Sequence, residues 1–204
     1  MKKKVILISS TIVFFTLLLS FIKIKNKVTL FSDYILNEYE NSNRYNYSFS
    51  NNNLTSDLLL EYLDYNAIDI QQNIKINKLI KKSKNIFISV GMNDLLQYVS
   101  NINNKLVYNP TIIYQKMALL EYNISEIMNS ILAIDNVNIY YVSLYYFNDE
   151  AFDEIIKEYN EEIKVLLEGI EVNYIEINNI ITIENYTFTN KNKEILYEYI
   201  DSII

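Results

Sequence analysis

"IFISVGMNDLLQYVS", residues 86–100, places one of the chain's two glycines where an apolar run gives way to a polar, helix-starting one. The run leading into it, "NIFISVG" (85–91), is apolar at nearly every position, the pattern of a strand buried on both faces of a parallel sheet. Past Gly91, Asn93 and Asp94 are residue types that open helices, so the segment reads as strand, tight turn and helix. Glycine suits such a junction because it tolerates dihedrals closed to other residues and lets a neighbour approach closely.

The same alternation extends in both directions. Upstream, "KVTLFS" (27–32) reads as a buried strand, "DYILNEYE" (33–40) as a helix opened by an acid, and "RYNYSFS" (44–50) as a second strand. "NNNLTSDLLLEYLDYNA" (51–67) is a turn and then a helix with Thr55 or Ser56 as N-cap, and residues 71–83 carry a partial helical stripe. Downstream come a helix from about 93, a polar loop around "NINNKLVYNP" (101–110), a long helix over 111–133 and a strand in "NVNIYYVSLYYF" (136–147). An amphipathic helix over 149–168 ends with Gly169 in the C′ position, "EVNYIEI" (171–177) is the fifth strand, and "NKNKEILYEYIDSII" (190–204) is the last helix. Strands separated by helices imply right-handed crossovers. The expected fold class is α/β: a three-layer α/β/α sandwich with a five-stranded parallel sheet, flavodoxin-like, over residues 28–204. Ligands of such sheets bind beyond the carboxyl ends of the strands, which directs attention to Ser32 and Asp33, Asn51–Asn53, Gly91–Asp94, Tyr145–Asn148 and the loop before the last helix.

Composition narrows the chemistry. The 204 residues suit one domain and half are apolar, enough for a sizeable core. The bias toward Ile, Asn, Lys and Tyr is that of an AT-rich genome, so the 19 tyrosines read as core filling rather than as stacking surfaces. There is no cysteine, hence no disulfide or thiolate, and no histidine, which removes the commonest general base and metal ligand together. No cofactor and no metal are expected, and "NDEAFDE" (148–154) reads as acids at a helix start rather than a calcium loop.

Residues 1–27 hold three lysines, an uncharged apolar run from Val5 to Ile22, and lysines at 23, 25 and 27. At about 1.5 Å per residue those 18 residues span roughly 27 Å, the thickness of a bilayer's hydrocarbon core. The run reads as an uncleaved signal anchor, one N-terminal transmembrane helix in a single-pass protein of the cell membrane with residues 28–204 outside the cytoplasm, the alternative being a cleaved leader on a secreted protein. Six of the 18 basic residues and none of the 25 acidic ones lie in 1–27, which leaves 12 against 25 and a net charge of −13 beyond it. Such a field repels nucleic acid.

The G-x-N-D arrangement of Gly91, Met92, Asn93 and Asp94 after a buried strand resembles a block of the SGNH hydrolases, also called GDSL esterases and lipases. "DLLLEYL", "IFISVGMNDLL", "NIYYVSLYYF", "IIKEYNEEI" and "VNYIEI" extend the resemblance over nearly all of 28–204, most like the extracytoplasmic branch of Gram-positive bacteria. The resemblance implies an esterase scaffold: a serine from G-D-S as nucleophile, a histidine from D-x-x-H as base, and an oxyanion hole of backbone N–H groups and the G-x-N-D asparagine. In this chain Phe31, Ser32 and Asp33 stand at the G-D-S positions, so Asp33 takes the nucleophile's place, and Ser32 is a serine displaced by one or simply a cap. Asn53 falls on the second-block glycine, where asparagine still offers its N–H and tolerates left-handed backbone. Asn185 falls on the aspartate and Phe188 on the histidine. A phenyl ring takes no proton, so no catalytic residue is expected and Ser32, Asp33, Asn53, Gly91, Asn93, Asp94, Asn185 and Phe188 form a remnant pocket.

Three function classes follow. The first is a catalytically inactive, membrane-anchored SGNH-like protein that binds a cell-wall glycan, an acyl ester or an envelope protein. The second is a divergent ester hydrolase using Asp33, Asp94 or Glu184. The third is a structural or assembly protein of the envelope. Removal of residues 1–27 should release a soluble monomer with mixed α/β circular dichroism; a fragment that still partitions with membranes after a high-salt wash would refute the single anchor.

Overall fold

The computed structural model describes residues 28–33, 35–36, 47–50, 52–69, 73–103, 105–183 and 188–204. In chain order the elements are β1 (Val28–Ser32), β2 (Tyr47–Ser50), α1 (Ser56–Asp64), β3 (Ile68–Asp69), β4 (Ile74–Lys75), α2 (Ile76–Lys82), β5 (Asn85–Ser89) and α3 (Met92–Leu96). They continue with β6 (Val99–Ile102), β7 (Lys105–Tyr108), α4 (Pro110–Ile134), β8 (Asn138–Val142), α5 (Glu150–Glu168), β9 (Asn173–Ile175) and α6 (Asn190–Ile203). Five strands form one sheet in the order β2-β1-β5-β8-β9, and every neighbouring pair is parallel. The central strands β1 and β5 are buried at all five positions, which explains their near-continuous apolar sequences.

Helix α4 packs against α1, α2, α3 and α5, so these helices share one face of the sheet. Helix α6 lies beside the segment that leaves β1, where the Tyr197 hydroxyl donates to the Ile35 carbonyl at 3.4 Å. The expected α/β sandwich with a five-stranded parallel sheet is therefore present. The expected signal anchor lies outside the described residues, as does most of the helix expected over 33–40. Among the described residues no helix is long and apolar enough to cross a membrane.

Helix starts follow local chemistry. Thr55 caps α1 by accepting the Leu58 N–H, Asn109 caps α4 by accepting the Thr111 N–H with Pro110 behind it, and Asp149 caps α5 by accepting the Phe152 N–H. Asp153 accepts the Phe147 and Asp149 N–H groups, so the two aspartates of "NDEAFDE" are occupied with backbone donors.

Three local expectations are corrected. The polar loop over 101–110 is instead part of an antiparallel hairpin, β6–β7, turning at Asn103 with φ +53°. Short polar alternation carries little strand signal, and asparagine supplies the left-handed turn that glycine usually would. The fifth strand is shorter than 171–177, because Glu176 accepts the Asn178 N–H and curls the chain into a 3₁₀ turn. Gly169 ends α5 with φ −66°, while the left-handed residue is Glu171 at +59°.

Gly91 is the glycine with a positive φ, +126°, and a Cβ built there would stand 2.9 Å from Leu120 Cδ2 and 3.1 Å from Leu144 Cδ2. Both dihedral strain and contact oppose any side chain at this corner. Gly91→Ala should cost about 1–3 kcal/mol in urea denaturation and Gly91→Val more; a loss below about 0.5 kcal/mol would mean that α4 yields freely at Leu120.

Candidate binding cleft at the carboxyl ends of the strands

The end of β1 provides the floor. Ser32 is fully buried, donates its hydroxyl to the Asp33 carbonyl at 2.8 Å and accepts the Leu36 N–H at 3.1 Å. That hydroxyl is absorbed in the turn that follows the strand. Asp33 is 2% exposed and is fixed by its own N–H, which donates to the Ser89 carbonyl at 2.8 Å. Its Oδ1 accepts the Ile35 N–H at 3.2 Å and lies 3.4 Å from the Ser89 hydroxyl. Burial pushes the Asp33 carboxyl from 3.8 up to about 7, with the Ile35 and Ser89 hydrogen bonds pulling the other way and Asp94 adding to the rise.

The G-x-N-D corner forms the next wall. The Asn93 amide donates to the Asn52 carbonyl at 2.9 Å and to the Leu54 carbonyl at 3.0 Å, so both hydrogens hold the loop before α1. In this arrangement Asn93 offers no amide hydrogen to a substrate oxygen. Asp94 accepts the Ser56 N–H on both oxygens and the Ser56 hydroxyl at 2.6 Å. Asn123, buried in α4, joins them by donating to Ser56 Oγ at 2.9 Å and Asp57 Oδ1 at 2.7 Å. Burial raises the Asp94 pKa against the Ser56 hydrogen bonds, and the carboxylate ties α3 to α1, with Asn123 adding α4 through Ser56.

The far wall is aromatic. Phe188, 2% exposed, lies 5.3 Å from the Tyr145 ring, which lies 4.9 Å from Phe147; Phe147 in turn meets Phe152 edge-on at 5.5 Å. Tyr145 is positioned by its neighbours: Leu144 exchanges two hydrogen bonds with the buried Asn160, and Asn178 bridges the Leu144 carbonyl and the Tyr146 N–H. Phe188 is held from the other side, because Thr189 and Asn192 close a capping box one residue later.

Between floor and walls is a cavity of about 430 Å³, lined by Asp33, Asn52, Met92, Asn93, Tyr145 and Phe188 among others. Its remaining edge comes from Val99 and Asn101 of β6 and Leu106 of β7. The structure thus brings Asp33, Asn93 and Phe188 to one cleft and places Gly91 and Asp94 behind it. Asn53 is exposed in a turn without a positive φ, and Asn52 rather than Asn53 lines the cavity. Asn185 and Glu184 lie outside the described residues. The hairpin residues and the anchoring Asn123 and Asn160 were not foreseen; an asparagine inside an apolar helical stripe was the signal available for the last two.

No protein-family model matches the sequence, and no curated protein matches it. Solved structures do share its fold. The chain is similar to a lipase from a goat rumen metagenome, at 16% identity and a TM-score of 0.61 over 86% of this chain and 96% of that one. It is also similar to a lipolytic protein of the G-D-S-L family from Veillonella parvula (10% identity, TM-score 0.59, 87% and 97% covered). A catalytic mutant of an acetylxylan esterase from Geobacillus stearothermophilus gives 11% identity and a TM-score of 0.56, with 86% and 92% covered. At these identities the likeness is one of fold alone: the domain has an SGNH hydrolase-like α/β fold.

Since the folded Asp33 holds its proton up to about pH 7 and the unfolded one releases it near 3.8, this residue's contribution to stability is complete below 3.8 and is lost as pH rises through 7. Asparagine keeps the acceptor without the charge. Asp33→Asn should therefore gain on the native protein by roughly 1.4 kcal/mol per pH unit between these values, read by urea denaturation at stepped pH. A difference independent of pH would refute the buried, proton-holding carboxyl.

Proposed function

We propose that this chain is a non-catalytic SGNH-like domain, anchored in the cell membrane by residues 1–27 and facing outward, whose cleft binds a cell-envelope glycan, acyl ester or protein. One observation carries the reading: Asp33 and Phe188, standing at the nucleophile and base positions of the resemblance, line the same cavity. A serine hydroxyl needs a neighbouring base to attack an ester near neutral pH. Here the chain has no histidine, the neighbouring Ser32 hydroxyl is bound in a turn, and the Asn93 amide is committed to backbone carbonyls. Each of these weighs against acyl transfer through the inherited route, and the aromatic wall gives the cleft the apolar lining typical of ligand sites.

A divergent hydrolase is the second reading, favoured by the Asp33 carboxyl, whose pKa of about 7 is that of a poised general base. The full chain should neither label with a fluorophosphonate probe nor turn over short-chain aryl esters above the Ser32→Ala and Asp33→Asn variants. Labelling that disappears in Ser32→Ala would overturn the non-catalytic reading, and turnover that disappears in Asp33→Asn would establish the second.

A further inference from the structure

The cleft has lost donors and kept acceptors. An ester-binding site needs hydrogens aimed at the carbonyl oxygen, yet both Asn93 amide hydrogens are committed to Asn52 and Leu54, while its side-chain oxygen receives none from any described residue. Asp33 points the same way. Both its side-chain hydrogen bonds fall on Oδ1, and Oδ2 receives none from any described residue although the side chain is 2% exposed and lines the cavity. No lysine or arginine is among the described residues lining this space, so none of them answers the carboxyl with a cation. The rings of Tyr145, Phe147 and Phe188 line the same cavity and pack on one another. Acceptors, an unanswered carboxyl and aromatic faces in one apolar cavity suit a cation with a short hydrophobic body.

We infer that the cleft binds a small organic ammonium ligand, its N–H groups meeting Asp33 and its apolar or aromatic body lying against Tyr145, Phe147 and Phe188. This rests on the reading of the cleft as a non-catalytic binding site. A cavity of about 430 Å³ has the size of a small-molecule site, and the net charge of −13 over residues 28–204 draws cations toward it. Among the described residues, the ionisable groups that line the cavity are Asp33, from the end of β1, and Tyr145, from the loop after β8. Behind the floor, Asp94 of α3 acts on Asp33 electrostatically and the Ser89 hydroxyl of β5 touches it. A cation selects the ionised carboxyl, so affinity climbs as Asp33 loses its proton. Between pH 6 and pH 8 a group with a pKa of about 7 goes from about one-tenth to about nine-tenths ionised, which gives about a tenfold gain in affinity.

The test is titration of the full chain, carrying methyl-labelled methionine, with benzylammonium chloride, benzyl alcohol and sodium benzoate. Met92 lines the cleft while Met128 is buried in α4, so the Met92 methyl resonance reads occupancy and Met128 serves as control. At pH 8 benzylammonium should shift Met92 saturably with at least tenfold higher affinity than the alcohol, and benzoate should not bind. The advantage should fall about tenfold at pH 6 in the native protein and vanish in Asp33→Asn. Equal affinity for amine and alcohol at pH 8, or amine affinity unchanged in Asp33→Asn, would overturn the inference; the native pH series decides if that variant fails to fold. Saturable binding of the alcohol alone, without ester turnover, would sink the ammonium assignment while leaving the non-catalytic reading intact. Ester turnover lost in Asp33→Asn would bring down both.

Discussion

Where β5 leaves the sheet at Gly91, the backbone takes a φ of +126° while Leu120 of α4 and Leu144 beyond β8 close on the space a Cβ would need. That contact sets how near the longest helix and the neighbouring strand end come to the central strand. One turn on, the Asp94 carboxylate accepts from Ser56, and Asn123 of α4 donates to the same Ser56 hydroxyl. A close backbone approach and a buried polar network therefore fasten α1, α3 and α4 to a single corner. Such networks are costly when half satisfied, and here each group has its partner. The cleft inherits its shape from this fastening, since Asn93 sits between Gly91 and Asp94 and must face the loop before α1.

The chemistry at the floor follows from solvation. A carboxyl at the end of a buried strand loses its water, and two neutral donors on one oxygen do not compensate. The protein keeps the group by letting it hold a proton to about pH 7. In the wall of the same cavity the Phe188 ring packs on Tyr145 and extends the core to the cleft. Among the described residues, the cleft thus presents a buried acid, an amide oxygen and aromatic rings.

Much of this was legible in the residues. Continuous apolar runs marked β1 and β5 because both faces of a central parallel strand are covered, and the rule that ligands sit past the strands' carboxyl ends singled out Asp33, Asn93 and Tyr145. The hairpin that completes the cleft was hidden, because its strands alternate weakly and its turn uses Asn103 instead of glycine. Asn53 was assigned a role on register alone, and one residue of slip in an irregular turn gave the lining position to Asn52.

By itself the sequence determined the strand-and-helix alternation, the glycine corner, the absence of histidine and cysteine, and the acidic charge, because each of these is local or compositional. Only the tertiary structure decided which groups answer one another. Asn93 could have been an oxyanion donor until Asn52 and Leu54 took its hydrogens, and Ser32 could have been a nucleophile until the Leu36 N–H met it. Asp33 is an ordinary aspartate on paper and a proton-holding acid in the fold. Hydrogen-bond partners and desolvation depend on residues far away in the chain, and no local pattern encodes them.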